Sequence, residues 1–553
     1  MLGHLTRRTR SAAILATAAL AVTACTSGGG GDAPRADGKV GLTVFAPQDP
    51  NQKLSANSLT KQLEKQLGVA ITWQTTTYDG ASASEKRQIS LASGDLPDAY
   101  LLIPWVTQFS PAELQKYGKQ GVFLPLNDLI DQYAPNIKKA FAETPQWKRI
   151  ATAPDGKIYG LPQWNDCFHC SYGTKLWMNS AWLKKLGLKQ PTTTEELRSV
   201  LRAFKTKDPN GNGKADEIPL TGLANNVEGG LIPYLMNAFI YDPGPSKADV
   251  TPLGLSGGKV QFQAAAPAFR AGLEYIASLY SERLIDPAAF SQNYDAMKAE
   301  GDNANGVLVG AAATLHPANL VTLGQKDGRD KQYDALPPLT GPSGARYATW
   351  GQPSAGGAFV LTAKTSTEQQ IAAIKIVDYL VSTQGHLRAE FGEDGVNWVK
   401  PAAGEKALDP SLTPLFKTLP AKEGAPPANN AWGAMAQYYS SMAFRNAQVQ
   451  PTDVYEPSGY ERRLFNATKL YEGLQPRDQL FPSWSVWVDP ADQADVAQLQ
   501  TNLQNFAAQQ QLQWVTGQKP LDDASWNAYL ERLNALGLQR YLTLMQKAYD
   551  ASK

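Results

Sequence analysis

Cysteine and histidine are scarce, three and four in 553 residues. So few thiols and imidazoles leave little material for zinc or imidazole chemistry. Charge of one sign is also missing: 52 Lys and Arg face 51 Asp and Glu, a formal +1, which excludes a strongly basic surface for nucleic acid. Past residue 24 no stretch is apolar for the roughly 20 residues that a spanning helix needs. The signatures of common catalysts are absent, with no Gly-x-Ser-x-Gly, no His-Glu-x-x-His and no P-loop. Glu393 and Asp394 resemble an acid and base pair, but adjacent acids in a Gly-rich loop belong more often to a turn. What is present is ample: 43% hydrophobic residues, 13 Trp and 22 Tyr, enough for two to four packed domains or large lobes.

Arg7, Arg8 and Arg10 precede an apolar run at 12–22, and Val22-Thr23-Ala24-Cys25 follows. This pattern predicts a secretory signal peptide over 1–24. The small residues before Cys25 resemble the lipobox of bacterial lipoproteins, in which that cysteine carries the lipid, palmitate included. The alternative is an ordinary signal peptide with a stray cysteine. Four glycines at 28–31 then predict a flexible tether over 25–38. The expected setting is extracytoplasmic, with the membrane touched through the lipid alone.

Periodicity predicts a strand at 40–46, a helix carrying Leu59, Leu63 and Leu67 and stopping at Gly68, and a strand at 69–75. A helix at 84–93 ends at Gly94, and a third strand covers 99–103. Strands alternating with helices predict an α/β sheet, whose ligands sit beyond the carboxyl ends of the strands. Those ends carry Asp49 and Trp105. Further helices are predicted at 180–186, ending at Gly187, and from Thr194, capped by one of Thr192, Thr193 or Thr194. Two C-terminal stripes, Trp526, Tyr529, Leu530, Leu533 and Tyr541, Leu542, Met545, Tyr549, read as core.

The segment from Asp208 to Glu217 alternates oxygen-bearing side chains, Asp208, Asn210, Asn212 and Asp216, around Gly211 and Gly213. Such alternation suits a hard cation such as Ca²⁺, with the Lys214 carbonyl at position seven. It is not an EF-hand, because position twelve is Pro219 and the available acid is Glu217. A polar Asn-Gly turn without metal is the alternative. Cys167 and Cys170 are the remaining cysteines, and in an exported chain a local disulfide is expected; a redox pair or half a zinc site are the competing readings. Gln163, Trp164, Asn165 and Asp166 lie beside it.

Trp105, Tyr159, Trp164, Trp177, Trp350, Trp398, Trp432 and Trp484 fall near turns or Gly and Pro clusters. Indole stacks on the apolar faces of sugar rings, while polar side chains bond their hydroxyls. For any one of them core packing is an equal explanation. The expected ligand contacts are Asp49, Trp105, Trp164, Asn165, Trp350, Asn397, Trp398 and Trp432.

Several segments together resemble family 1 extracellular solute-binding proteins of ABC importers. They are the lipobox, Leu91-Ala92-Ser93-Gly94-Asp95-Leu96-Pro97-Asp98, Asp155-Gly156-Lys157-Ile158-Tyr159-Gly160-Leu161-Pro162 and Trp182-Leu183-Lys184-Lys185-Leu186-Gly187-Leu188. The 208–217 loop, Gly392-Glu393-Asp394-Gly395-Val396-Asn397-Trp398 and Trp514-Val515-Thr516-Gly517 are similar to the LipO-like and alginate-oligosaccharide-binding branch. The resemblance implies an α/β fold of two lobes joined by several crossing strands, the first lobe expected at 39–160 and 306–365, the second at 161–305 and 366–553. It implies a structural Ca²⁺ held by Asp208, Asn210, Asn212, Lys214, Asp216 and Glu217, an ABC permease as partner, a solute that is most often an oligosaccharide, and a monomer. An anchored carbohydrate-active enzyme and a sensor-only receptor are the rival readings.

Overall fold

A computed structural model describes residues 35–36, 38–224, 229–244, 253–420 and 427–553. The signal segment, Cys25 and the glycines at 28–31 lie outside them. The tether expected to reach 38 ends earlier, because Arg35–Ala36 forms a short strand antiparallel to the start of Lys39–Pro47. No helix among the described residues is long and apolar enough to cross a membrane.

The first sheet is built on Lys39–Pro47. Val69–Thr76 runs parallel to it in register from Val40 opposite Val69 to Pro47 opposite Thr76, and Ala99–Leu101 lies parallel on its other side. Phe359–Leu361 closes the sheet antiparallel to Ala99–Leu101. The helices between the parallel strands end where the sequence predicts. Gly68 and Gly94 take left-handed φ of 66° and 75° directly after Ser58–Leu67 and Gly80–Ser93, a conformation that costs glycine no Cβ clash.

The second sheet places Leu176–Asn179 between Tyr333–Leu336 and Ala311–Ala313, both antiparallel, with Thr221–Gly222 parallel to Ala311–Ala313 at the edge. Thr194–Thr206, capped by the Thr193 hydroxyl, buries Leu197, Val200, Leu201 and Phe204 against this lobe. The predicted C-terminal stripes are indeed core: Trp526, Tyr529, Leu533, Tyr541 and Met545 are all buried in it.

The lobe boundaries need correction. Within 306–365, expected in the first lobe, Ala311–Ala313 and Tyr333–Leu336 pair in the second sheet, and only Phe359–Leu361 joins the first. Conversely, Thr367–Val381 and Thr383–Glu390, expected in the second lobe, pack on the first. Ile374, Val377, Leu380 and Ala389 join its core, together with Trp432, Met435 and Tyr438 from further along. The reason is local: the apolar face of Thr367–Val381 follows at once on the edge strand Phe359–Leu361 and folds back over the sheet it has just left. Asp378 on this helix also accepts the backbone N–H groups of Asn136 and Ile137 at 2.8 and 2.9 Å, tying it to the lobe. Between the lobes, Trp164–Asn165 runs parallel to Tyr439–Ser440, with Trp164 opposite Tyr439 and Asn165 opposite Ser440. Paired residues leave a sheet on the same face, so Asn165 and Ser440 point the same way.

Candidate functional site at the lobe junction

The carboxyl ends of the first sheet carry two expected contacts. Trp105, beyond Ala99–Leu101, is 43% exposed, the one exposed tryptophan among the described residues. Asp49, beyond Lys39–Pro47, is half-buried and accepts the Asn51 N–H at 2.8 Å. Burial, and secondarily the charge of Asp49, push the nearby Tyr78 hydroxyl up to about 12. Trp350 stands edge-on to Trp484, ring centres 5.4 Å apart.

The other expected contacts divide sharply. Trp398 donates its indole N–H to the Gly392 carbonyl at 3.0 Å and packs with Leu387 and Phe416. Trp432 donates to the Thr60 hydroxyl at 3.0 Å and meets Trp73 edge-on at 5.4 Å. Both are core residues with their polar handle already used, which corrects their assignment as ligand contacts. Asn397 is corrected too: its Oδ1 accepts the Glu393 N–H at 2.9 Å and the Asn430 amide at 2.7 Å, which holds the turn ahead of Trp398. Trp164 differs, being 5% exposed with an indole N–H that has no partner among the described residues.

Asn165 is the centre of a polar chain that the sequence did not reveal. Its Nδ2 donates to Gln437 Oε1 at 2.9 Å, and its Oδ1 accepts from Arg445 Nη1 at 2.9 Å. Gln437 donates in turn to Glu390 at 2.6 Å, and Glu390 lies 2.5 Å from His386. On the second-lobe side His169 meets Glu461 at 2.7 Å, and its ring stands 5.1 Å from that of His316. Lys175, fully buried, directs Nζ at the carbonyls of His169 and Tyr172. The two groups of bonds flank the crossing strand and, among the described residues, are linked to each other only through the charge of Arg445 on Glu461. No motif could have announced them, since the bonds of Asn165 to Gln437 and Arg445 and of His169 to Glu461 join residues 272, 280 and 292 positions apart.

Burial sets the charges here. It raises Asp166 above the usual carboxylate range against the Met442 N–H and Arg445. It pushes Glu390 and Glu461 upward as well, but their contacts with His386 and His169, and the charge of Arg445, outweigh it and leave both below the ordinary value. Burial lowers His169 against the pull of Glu461, takes His316 down to about 3 and brings Lys175 down to about 7. Both histidines are thus held neutral near neutral pH.

The 208–217 loop lies on the second lobe. Asp208 accepts the backbone N–H groups of Gly211 and Asn212 on one oxygen, at 2.9 and 3.1 Å, and that of Gly213 on the other, at 3.1 Å. Asn212 Oδ1 accepts the Lys214 N–H at 2.8 Å, while the amides of Asn210 and Asn212 reach Asp216 at 3.2 and 3.0 Å. Glu217 Oε1 is buried with no partner, and burial raises this carboxyl. An orphaned carboxylate oxygen within a ring of oxygen donors fits a hard cation. A surface groove of about 770 Å³ runs beside this loop between Glu217, Tyr280, Arg283, Trp514 and Lys519, and no expected ligand contact lines it.

Cys167 and Cys170 are joined sulfur to sulfur, with Cα atoms 5.2 Å apart. The three-residue bridge encloses the short helix that presents His169 and directly follows Asn165 and Asp166.

Two α/β lobes joined by crossing strands define a periplasmic-binding-protein-like fold. A family model for the bacterial extracellular solute-binding protein matches residues 49–386, and the chain belongs to that family. It is 31% identical over 518 residues, 92% of this chain and 88% of the relative, to the fructooligosaccharide ABC transporter substrate-binding protein FusA of Streptococcus pneumoniae. A solved structure of the S. pneumoniae FusA EF-hand mutant in complex with fructo-nystose matches 92% of this chain and 99% of that one, with 27% identity and a TM-score of 0.70. An HMO-binding, ABC-transporter-associated solute-binding protein from Bifidobacterium longum infantis, 24% identical, matches 94% of this chain and all of that one with a TM-score of 0.74, a likeness of fold.

Proposed function

We propose that this chain is the substrate-binding component of an ABC importer, that its solute is an oligosaccharide, and that it performs no reaction on it. The single observation that carries this reading is the polar network Glu390, Gln437, Asn165, Arg445, because it is built on the segment that leaves the first-lobe core at Trp164 and enters the second at Phe168. A ligand stabilises the closed form only by bonding better to it than to the open one. Asn165, Gln437 and Arg445 supply donors and acceptors for sugar hydroxyls, and Trp105 supplies an exposed indole face from the first lobe. The name of FusA, a fructooligosaccharide-binding relative over nearly the whole chain, supports the substrate class.

Around this core stand the expectations that complete it. Lipid on Cys25 tethers the receptor outside the cell and concentrates it beside its permease. A Ca²⁺ ion held by Asp208, Asn210, Asn212, the Lys214 carbonyl, Asp216 and Glu217 offsets most of the charge of three carboxylates and rigidifies the loop. The EF-hand mutant of FusA supports that assignment. The Cys167–Cys170 pair is oxidised in the exported protein and holds His169 against Glu461. The receptor acts as a monomer.

Small-angle scattering of the purified chain with neutral tri- and tetrasaccharides tests the reading. A binder that compacts the particle is the expected result. Binding without compaction, or turnover of the sugar, would sink it.

A further inference from the structure

The loop closed by Cys167 and Cys170 gathers more than two sulfurs. Both sulfurs and one ring nitrogen of His169 lie within 4.8 Å of one another. Ligand atoms sharing one tetrahedral Zn²⁺, with bonds of about 2.0–2.3 Å, stand roughly 3.5–4 Å apart, so the three are already close to a metal-binding spacing. His316 brings a second imidazole, its ring centre 5.1 Å from that of His169. Its Nδ1 is buried with no partner among the described residues.

The surroundings suit a cation that favours sulfur and nitrogen. Glu461 stands 2.7 Å from His169 Nδ1, which orients the ring and leaves Nε2 with the free lone pair, as a carboxylate does behind a ligating histidine. The Cys170 N–H donates to Cys167 Sγ at 3.2 Å, a bond that favours the thiolate once that sulfur is released. Cys167 is buried and Cys170 exposed, so one sulfur is open to an attacking thiolate and free to swing while the other stays fixed. Two thiolates cancel the charge of a divalent ion, so the filled site adds no net charge beside Lys175, whose Nζ reaches the His169 carbonyl at 2.9 Å.

We propose that Cys167, Cys170, His169 and His316 form a redox-gated Zn²⁺ site, closed to metal while the disulfide stands and opened by its reduction. An extracytoplasmic dithiol reduces the bridge by exchange: its own two thiols end as a disulfide, and Cys167 and Cys170 as thiols. Zn²⁺ then binds both sulfurs and displaces their two protons to solvent. Disulfide and ion are alternative clasps on the loop that follows Asn165 and Asp166, whichever solute the lobes take.

Reducing the purified chain with a phosphine in the presence of Ca²⁺, then titrating Co²⁺ followed by Zn²⁺, tests this. Co²⁺ should develop sulfur-to-metal charge-transfer absorption, which the 208–217 loop cannot supply because it holds no sulfur. Zn²⁺ should bleach that band at one ion per chain with a Kd of about 1 μM or tighter. The oxidised chain should show no such band. His169→Gln, His316→Gln and Glu461→Gln should each weaken Zn²⁺ about 10–100-fold. No charge-transfer band from the reduced chain, whether or not its circular dichroism stays native, would overturn the site. An affinity unmoved by the histidine substitutions would leave a bare dithiol and overturn the four-residue assignment.

Discussion

The 208–217 loop and the lobe junction are both rings of oxygen and nitrogen atoms, yet they are assembled in opposite ways. In the loop, Asp208, Asn210, Asn212, Asp216 and Glu217 come from ten consecutive positions, and left-handed glycines turn the chain around them, Gly211 at 79° and Gly213 at 74°. At the junction, Asn165 meets Gln437 and Arg445 only after the chain has built two sheets and returned. A site made by local backbone geometry survives as a pattern in the sequence, whereas one made by distant packing leaves no spacing to recognise. The loop is complete within ten residues, while the junction draws on segments that only tertiary packing brings together.

The comparison breaks first if a residue assigned to the core proves to belong to the junction. Trp432→Ala should cost about 3–5 kcal/mol of unfolding free energy, since it empties a fully buried site against Trp73. Urea unfolding gives the value; a loss of sugar affinity at unchanged stability would return Trp432 to the ligand contacts. Next in size is chelation. Removing Ca²⁺ with EGTA should lower the melting temperature by about 2–3 °C, the scale expected for a chain of this length from about 2.7 kcal/mol of bound-ion stabilisation. A Glu217→Gln variant should lose most of this response, and a wild-type melting curve indifferent to EGTA would leave the loop an ordinary turn.

A smaller effect falls on the junction itself. Arg445→Gln should weaken saccharide binding by about 1–3 kcal/mol, read by calorimetry, because it removes a charged donor and leaves Asn165 Oδ1 short of a partner. The same substitution should leave the EGTA shift untouched, which separates the two regions. The last effect, small only when counted per pH unit, is in the pH dependence. Unfolded, the His316 imidazole takes up a proton near 6.5; folded, burial holds this off to about 3. Below the ordinary value the unfolded state therefore binds more protons, and stability falls with falling pH by up to about 1.4 kcal/mol per pH unit between about 6 and 4. His316→Gln should flatten that slope; an unchanged slope would assign it to other groups.

Much of the local structure was legible. The strands at Val69–Thr76 and Lys39–Pro47 and the C-terminal ends of the helices before Gly68, Gly94 and Gly187 sit within a residue or two of prediction, because caps and alternation act over a few residues, whereas the helix predicted from 84 starts at Gly80, capped by Asp79. Ser180–Leu186 needed only Asn179 to cap its start and Gly187 to end it. The lobe boundaries were not legible, since whether Ala311–Ala313 joins Leu176–Asn179 or the first sheet is a question of partner, not propensity. The tryptophans show the same limit. Trp105 and Trp432 both stand near turns, and nothing beside them tells that one faces solvent at 43% while the other is 1% exposed and bonded to Thr60.

Order along the chain was enough to establish an α/β protein of the solute-binding family, its element ends and a loop shaped for a hard cation. Each of these depends on residues that are neighbours before folding begins. Which indoles are core, where the lobes divide, that His386, Glu390, Gln437, Asn165 and Arg445 form one polar path, and that His169 meets Glu461 were decided by tertiary packing. Those facts arise from contacts across hundreds of residues, and from the burial that silences His316 and leaves Ser440 without a partner.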